Sequence, residues 1–278
     1  MLADLKEVLL KAKKEKYAVG LFNTINTEMI RGVIAAAEES HSPVIIGTAE
    51  GLLPQASLDY LTPALMTMAK AASVPVVIHF DHGLTEEGCK DALRHGFTGL
   101  MFDGSLGEPE ENVRRTKAMV EYSHSMGIAV EGEIGHVGQA DSGDNAVTDR
   151  YTTVKEAVDF VNATGVDCLA IAIGTAHGAY KIPPKLDFVR LKEIANAVDV
   201  PLVLHGGSGV SDEDFIKAVE GGICKINIFT DLLLAAEDAM KKGVENKKDY
   251  LSIKIDMEEA IKEAALKKMR LFGSVNRA

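Results

Sequence analysis

The sequence predicts an α/β fold, a (β/α)8 TIM barrel with an additional C-terminal helix. Three observations predict it. Short β-forming apolar runs alternate with helix-length segments eight times in order. Several of these runs are continuously apolar, as strands buried on both faces of a parallel sheet are. Finally, His82, His177 and His205 stand far apart in the chain, each just past such a run. Residues so spaced form one site only where the fold gathers strand ends, as a barrel does. A doubly wound open sheet is the alternative, but it seldom has eight consecutive repeats.

Taken in order, the predicted strands are 18–22, 44–46, 76–80, 99–102, 129–134, 168–173, 202–205 and 224–228. Helical patterns at 27–39, 54–72, 85–94, 109–123, 154–163, 188–197, 212–219 and 231–241 separate and follow them. Thr85 and Ser211 sit at N-cap positions with acids in the next turn, which suits the positive end of a helix. The first residues, Met1 to Glu7, read as the start of a charged amphipathic helix without the apolar region of a signal peptide. At the other end, 241–278 is a helical extension with an amphipathic helix at 257–271, placed to cover the barrel or to mediate assembly. No composition break divides the chain, so 1–278 reads as a single domain.

Composition narrows the function classes. A net charge of −11 argues against nucleic acid or an anionic membrane as main partner. Cys89, Cys168 and Cys224 are odd in number and form no CxxC, as expected of free thiols in a reducing compartment. No apolar run reaches the roughly 18 residues of a membrane-spanning helix. The expectation is a cytoplasmic protein.

In this fold the active site lies where strands end and the following loops begin. Those ends carry Asn23, Asp81 with His82, Asp103, Glu133, His177, His205 with Gly206-Gly207-Ser208, and Asn227 with Thr230. Three neutral imidazoles on one divalent cation make a catalytic site with open positions for substrate, and nitrogen ligands favour zinc over magnesium. His79 points to the same strand face as Asp81, one layer deeper, and reads as structural or as a support for the ligands. His41, His95 and His124 fall on helices or their ends and read as surface residues; His136 lies in a loop. Asp81 is placed either to move a proton on a substrate hydroxyl or to orient an imidazole. The Gly206-Gly207-Ser208-Gly209 loop offers backbone N–H groups before a helix N-terminus, and loops after strands seven and eight are the usual phosphate site of such barrels. The polar, glycine-rich stretch 135–145 after strand five reads as a lid, with simple disorder as the other reading. A metal beside a phosphate anchor suits a small phosphorylated substrate.

From about Tyr17 to Ser274 the chain resembles the class II, metal-dependent fructose-bisphosphate and tagatose-bisphosphate aldolases. The resemblance is carried by Phe22-Asn23 with Asn26 and Glu28, His79-Phe80-Asp81-His82, Val130 to Gly135, Ile173 to Gly178, Leu204 to Gly209, and Lys225 to Thr230. The form Ala172-Ile173-Gly174-Thr175-Ala176-His177-Gly178 is similar to the tagatose-type branch. The resemblance implies reversible cleavage of a ketose 1,6-bisphosphate to dihydroxyacetone phosphate and an aldehyde such as glyceraldehyde 3-phosphate. It implies that His82, His177 and His205 bind a catalytic Zn2+ and that Asp81 moves the proton on the C4 oxygen. Asn23, Gly178, Gly206, Gly207, Ser208, Asn227, Ile228, Phe229 and Thr230 would hold the substrate, with Asn227 beside the reacting carbons. Asp103 and Glu133 match positions of a second or displaced divalent metal. A monovalent cation, Na+ or K+, and a homodimer or homotetramer are further implications.

Two stretches depart from that pattern. The family's Gln-x-Ser after strand two, which helps hold the second phosphate, is here Gly47-Thr48-Ala49. The lid acid's nearest match is Asp141, one methylene shorter. A ketose 1-phosphate or other non-bisphosphate substrate is the alternative reading. A different metal-dependent barrel enzyme, such as a hydrolase or epimerase, and a non-catalytic aldolase-like subunit are the competing classes. Against the hydrolase stands the lack of the clustered HxH of many barrel hydrolases; against the inert subunit stand Asp81 and all three histidines.

Overall fold

The alternating elements close on themselves in the computed structural model, which describes residues 1–135, 138–139, 151–178, 180 and 184–278. In chain order the strands are β1 (Val19–Asn23), β2 (Val44–Ala49), β3 (Val76–Gly83), β4 (Gly99–Phe102), β5 (Ala129–Ile134), β6 (Gly138–Gln139), β7 (Cys168–Ile171), β8 (Ala176–His177), β9 (Leu202–Leu204) and β10 (Ile223–Ile228). Eight of them form a closed parallel barrel in the order β1-β2-β3-β4-β5-β7-β9-β10, with β10 returning to β1. The short β6 and β8 pair with each other outside that ladder. The helices are α1 (Leu5–Glu15), α2 (Thr27–Glu39), α3 (Leu58–Ala71), α4 (Glu86–Arg94), α5 (Pro109–His124), α6 (Val154–Thr164), α7 (Phe188–Ala197), α8 (Asp212–Glu220), α9 (Thr230–Glu245) and α10 (Tyr250–Leu271). This is the predicted TIM barrel with a C-terminal helix.

Strand alternation divides the core in two. Outward positions such as Phe22, Ile46, Ile78, Phe80, Leu100, Val130, Leu169, Leu204 and Ile226 pack under the helices. Inward positions Val19, Leu21, Ile45, Val77, Ala129, Cys168, Ala170 and Val203 form a second cluster with Leu5, Val8, Leu9 and Ala12 of α1. Helix α1 therefore closes one end of the barrel with its apolar face. Moving along the strands away from α1, the inward positions turn polar. Gly47 pairs with His79 and Ala49 with Asp81, while Met101 pairs with Glu131. The polar layers at the C-terminal end are where the site lies.

Several boundaries differ from the pattern-based ones, for identifiable reasons. Helix α3 begins at Leu58, not at 54, because Ser57 caps it by accepting from the Asp59 N–H, and Glu50–Leu52 forms a separate 3-10 turn. Strand β7 stops at Ile171, and the chain turns through Gly174, whose φ is +115°. Helix α10 starts at Tyr250, earlier than 257, where Asp249 accepts from the Ser252 N–H. It packs along α2 and α9, covering the outside of the barrel. The three cysteines are free and buried. Among the described residues no helix is long and apolar enough to cross a membrane.

Candidate active site

His82 reaches the site through a local irregularity. The β3–β4 register shifts between Phe80 and Gly83, and His82 adopts a φ of +42°, a left-handed conformation that costs a non-glycine residue free energy. The irregularity lets two consecutive residues, Asp81 and His82, both line one cavity, which regular alternation forbids. His177 enters from β8 and His205 from the end of β9. Gly206 follows with a φ of +64°, and a Cβ there would lie 2.4 Å from the Ala176 carbonyl oxygen, so the two histidine-bearing segments meet only because this residue is glycine.

The ring nitrogens of His82, His177 and His205 come within 4.8 Å of one another. Two of the rings are oriented from behind by carboxylates. His82 Nδ1 is 2.7 Å from Asp103 Oδ2, and His205 Nε2 is 2.7 Å from Glu131 Oε1. Each carboxylate holds the ring proton on its own side, leaving the opposite nitrogen with a lone pair. Those opposite nitrogens, His82 Nε2 and His205 Nδ1, face each other at 2.8 Å. Two lone pairs at that distance repel unless positive charge lies with them. His177 Nε2 is buried with no hydrogen-bond partner among the described residues.

The electrostatics agree. Burial acts to lower the His82 pKa, but Asp81, Asp103 and Glu133 outweigh it and raise the ring to about 10. The pocket thus draws a cation onto His82. Burial, followed by repulsion from the other two rings, lowers His177 to about 3, so its nitrogen is offered as a neutral donor. This donor set fits a divalent cation with an affinity for nitrogen ligands. A second group, His82, Asp103 and Glu133, also converges. Burial and the neighbouring Asp103 push Glu133 up to about 8, and its Oε2 has no hydrogen-bond partner among the described residues.

Asp81 does not orient an imidazole; Asp103 and Glu131 do that. Its Oδ2 accepts from Asn23 Nδ2 at 2.7 Å and its Oδ1 from Asn227 Nδ2 at 2.9 Å. Burial opposes ionisation of this carboxyl, but the adjacent His82, Lys225 and His205 overcome it and hold the group well below the usual carboxylate range. The cavity above these residues has a volume of about 600 Å³, and Asn23, Asp103, Glu133, Gly178, Gly206, Gly207, Ser208, Asn227, Ile228, Phe229 and Thr230 all line it. An adjoining pocket of about 210 Å³ lies between Gly178, Ser208, Gly209 and Thr230 at the start of α9. Phe229 gives α9 no side-chain cap. Ser208 Oγ supplies one from across the gap, accepting from the N–H groups of Phe229 and Asp231 at 3.2 Å each. This is the glycine-rich loop and helix N-terminus that suit a phosphate.

The described structure therefore brings together every sequence-predicted site residue except Asp141, which lies outside the described residues, as does His136. His41 and His124 are exposed and His95 is half-buried, away from the cavity. Sequence reasoning missed Glu131 as the carboxylate behind His205, and Lys225 beside it. Lys225 Nζ is 2.8 Å from Glu131 Oε2, and both side chains are fully buried. A signal existed: charged residues inside apolar strands are almost never fully buried unless paired.

Comparison with known proteins agrees with the geometry. The model of the family "Fructose-bisphosphate aldolase class-II" matches residues 3–277. The chain is 43% identical over 279 residues to the uncharacterized protein YdjI of Escherichia coli K12, covering all of both chains. The crystal structure of that organism's YdjI aldolase superposes with a TM-score of 0.92 at 42% identity, again over the full length of both. A fructose-bisphosphate aldolase of Staphylococcus epidermidis is 40% identical over 286 residues, covering 100% of this chain and 99% of the relative. On its fold, its strand-end residues and these full-length matches, the chain belongs to the class II fructose-bisphosphate aldolase family.

Proposed function

We propose that the protein is a metal-dependent aldolase that reversibly cleaves a ketose 1,6-bisphosphate of the fructose or tagatose type to dihydroxyacetone phosphate and glyceraldehyde 3-phosphate. The observation that carries this reading is the convergence of three imidazole nitrogens beside Asp81 and above a helix N-terminus. His82, His177 and His205 would hold the metal, with Zn2+ best suited to the donor set. When bound, it supplies Lewis-acid polarisation of the substrate carbonyl.

The chain's own residues do the rest. The Gly206–Ser208 loop, Gly178 and the first turn of α9 anchor the C1 phosphate. Asp81, kept ionised, accepts the proton of the C4 hydroxyl. The C3–C4 bond then breaks, the C4 carbon leaves as the aldehyde, and the bonding pair passes to C3 and toward the C2 carbonyl. Asn227, which donates to one oxygen of Asp81, would lie beside this position, and Asn23 holds the other oxygen of Asp81. Protonation at C3 completes dihydroxyacetone phosphate; Asp141 is the proposed acid. Asp103 and Glu133 would take a second or displaced divalent metal, and a Na+ or K+ ion would sit near the phosphate. A cytoplasmic homodimer or homotetramer acting on a free phosphorylated sugar completes the reading.

One observation favours a second reading, in which the substrate is a ketose 1-phosphate. Ala49, Leu52, Leu84 and Leu106 line the cavity, and its described lining includes no lysine or arginine. A second phosphate would find apolar surface there. A cleavage screen of ketose 1-phosphates and 1,6-bisphosphates, read by triose phosphate release, separates the two. Chelation should abolish cleavage and zinc should restore it. Cleavage that survives chelation, or a lysine Schiff base trapped by borohydride, would overturn the proposal.

A further inference from the structure

We infer that Lys225, buried in the barrel beneath the three histidines, is a positioning residue for the reaction: it fixes which way the Asn227 amide faces and, through Glu131, which nitrogen His205 presents. The inference rests on the aldol reading above. Lys225 occupies an inward position of β10, paired with Val19 of β1 and Val203 of β9. Among the described lysines and arginines only Lys225 and Lys268 are buried, and Lys268 pairs with Asp231, outside the barrel interior.

One arm runs to Asn227. Lys225 Nζ donates to Asn227 Oδ1 at 2.7 Å. An ammonium group can only donate, so the amide oxygen must face it. The amide NH2 is left to donate to Asp81 Oδ1 at 2.9 Å, and it also lies 3.3 Å from His205 Nδ1. An ionised carboxylate can only accept. The amide is thus held between a donor-only and an acceptor-only group, and one orientation satisfies both. Turning it over would set oxygen against oxygen at Asp81 and nitrogen against nitrogen at Lys225. The same contact steadies Asp81, whose other oxygen is held by Asn23.

The second arm runs to Glu131. Lys225 Nζ is 2.8 Å from Glu131 Oε2, while Glu131 Oε1 takes the His205 Nε2 proton at 2.7 Å. Without the ammonium, Glu131 Oε2 loses the contact that holds the carboxylate in place, and nothing keeps Oε1 aligned on His205 Nε2. His205 would then be free to carry its proton on Nδ1, the nitrogen that faces His82.

The test compares Lys225→Met with the double variant Lys225→Met/Glu131→Gln, which leaves no unpaired buried charge. Folding is followed by circular dichroism, and zinc affinity by competition with a chelator in the absence of substrate. The kcat and KM for cleavage are measured at saturating zinc. Lys225→Met should hold zinc about 10- to 100-fold more weakly. The double variant should fold with wild-type stability but hold zinc no better than Lys225→Met, a deficit that saturating zinc makes good. Its kcat should nevertheless stay about 100-fold down, with little change in KM, because the Asn227 amide and Asp81 are still unpinned. A zinc-loaded double variant with kcat within about 2-fold of wild type would overturn the Asn227 arm. Unchanged zinc affinity in Lys225→Met would overturn the Glu131 arm. Failure of both variants to fold would also count against the inference, making Lys225 a determinant of stability instead. Absence of cleavage by zinc-loaded wild-type protein would sink the aldol reading itself, while the zinc competition would still read the Glu131 arm.

Discussion

His79 makes the fold sensitive to acid by an amount that can be worked out. It is fully buried in β3, and neither ring nitrogen has a hydrogen-bond partner among the described residues. The nearest carboxylate oxygen, Glu131 Oε2, is 3.6 Å away. Burial and then the Lys225 ammonium drive its pKa down to about 3, whereas an unfolded histidine titrates at about 6.5. The sign follows. Between those values the unfolded chain takes up a proton that the fold refuses, so stability falls as pH drops through the unfolded value. The loss is complete below the folded one. At about pH 4 it amounts to roughly 3 kcal/mol, and its limit is roughly 5 kcal/mol. In His79→Leu this contribution disappears, and because two unpartnered polar atoms go with it, stability at neutral pH should change by less than about 1.5 kcal/mol. The assay is urea unfolding of both proteins from neutral pH to about pH 4, followed by circular dichroism. Both are stripped of metal, so that acid release of a bound cation does not add its own pH dependence. The difference between the curves reads His79 together with its coupling to Glu131, Asp81 and His205. Curves that stay parallel across that range would show that a neutral buried His79 is the wrong description.

Four further outcomes are expected. Asp81→Asn should lower kcat by about 100- to 10,000-fold while zinc content, measured by atomic absorption, is unchanged; near-normal turnover would remove Asp81 from the proton transfer. Asp103→Ala should weaken zinc binding by about 10- to 100-fold in chelator competition, and equal affinity would mean that His82 needs no carboxylate behind it. At the second-phosphate end the two departures from the family pattern should behave differently. A Cβ at Gly47 would lie 1.7 Å from the His79 carbonyl oxygen, so Gly47→Ala should destabilise the barrel by about 3 kcal/mol or more in thermal or urea unfolding. Ala49 lines the cavity, and Ala49→Ser should raise kcat/KM for a bisphosphate over the matching 1-phosphate by about 10-fold, the worth of one charge-assisted hydrogen bond. A ratio that does not move would place the second phosphate elsewhere.

What could be read from the sequence follows from what a linear pattern can express. Continuous apolar runs identify strands buried on both faces, and eight of them in alternation leave one economical closure. The three histidines were legible because each follows a run, at the place where a barrel puts its chemistry. Which carboxylate serves which ring was not legible. That choice depends on the shifted β3–β4 register and the positive φ of His82. A period-two pattern would send Asp81 and His82 to opposite faces; the irregularity brings both to the cavity and gives Asp103 the ring that Asp81 adjoins in sequence. Glu131 and Lys225 were hidden for another reason. Each sits inside a motif that resembles the family, two residues before a recognised site position, Glu133 or Asn227. Two residues is one layer of a strand, so both point into the barrel below the site. A fully buried glutamate and a fully buried lysine each require a partner, and across the barrel interior each meets the other, while Glu131 also holds His205 and Lys225 also holds Asn227. The layer beneath the metal ligands is as much a part of the site as the rim, because it decides which atoms the rim presents.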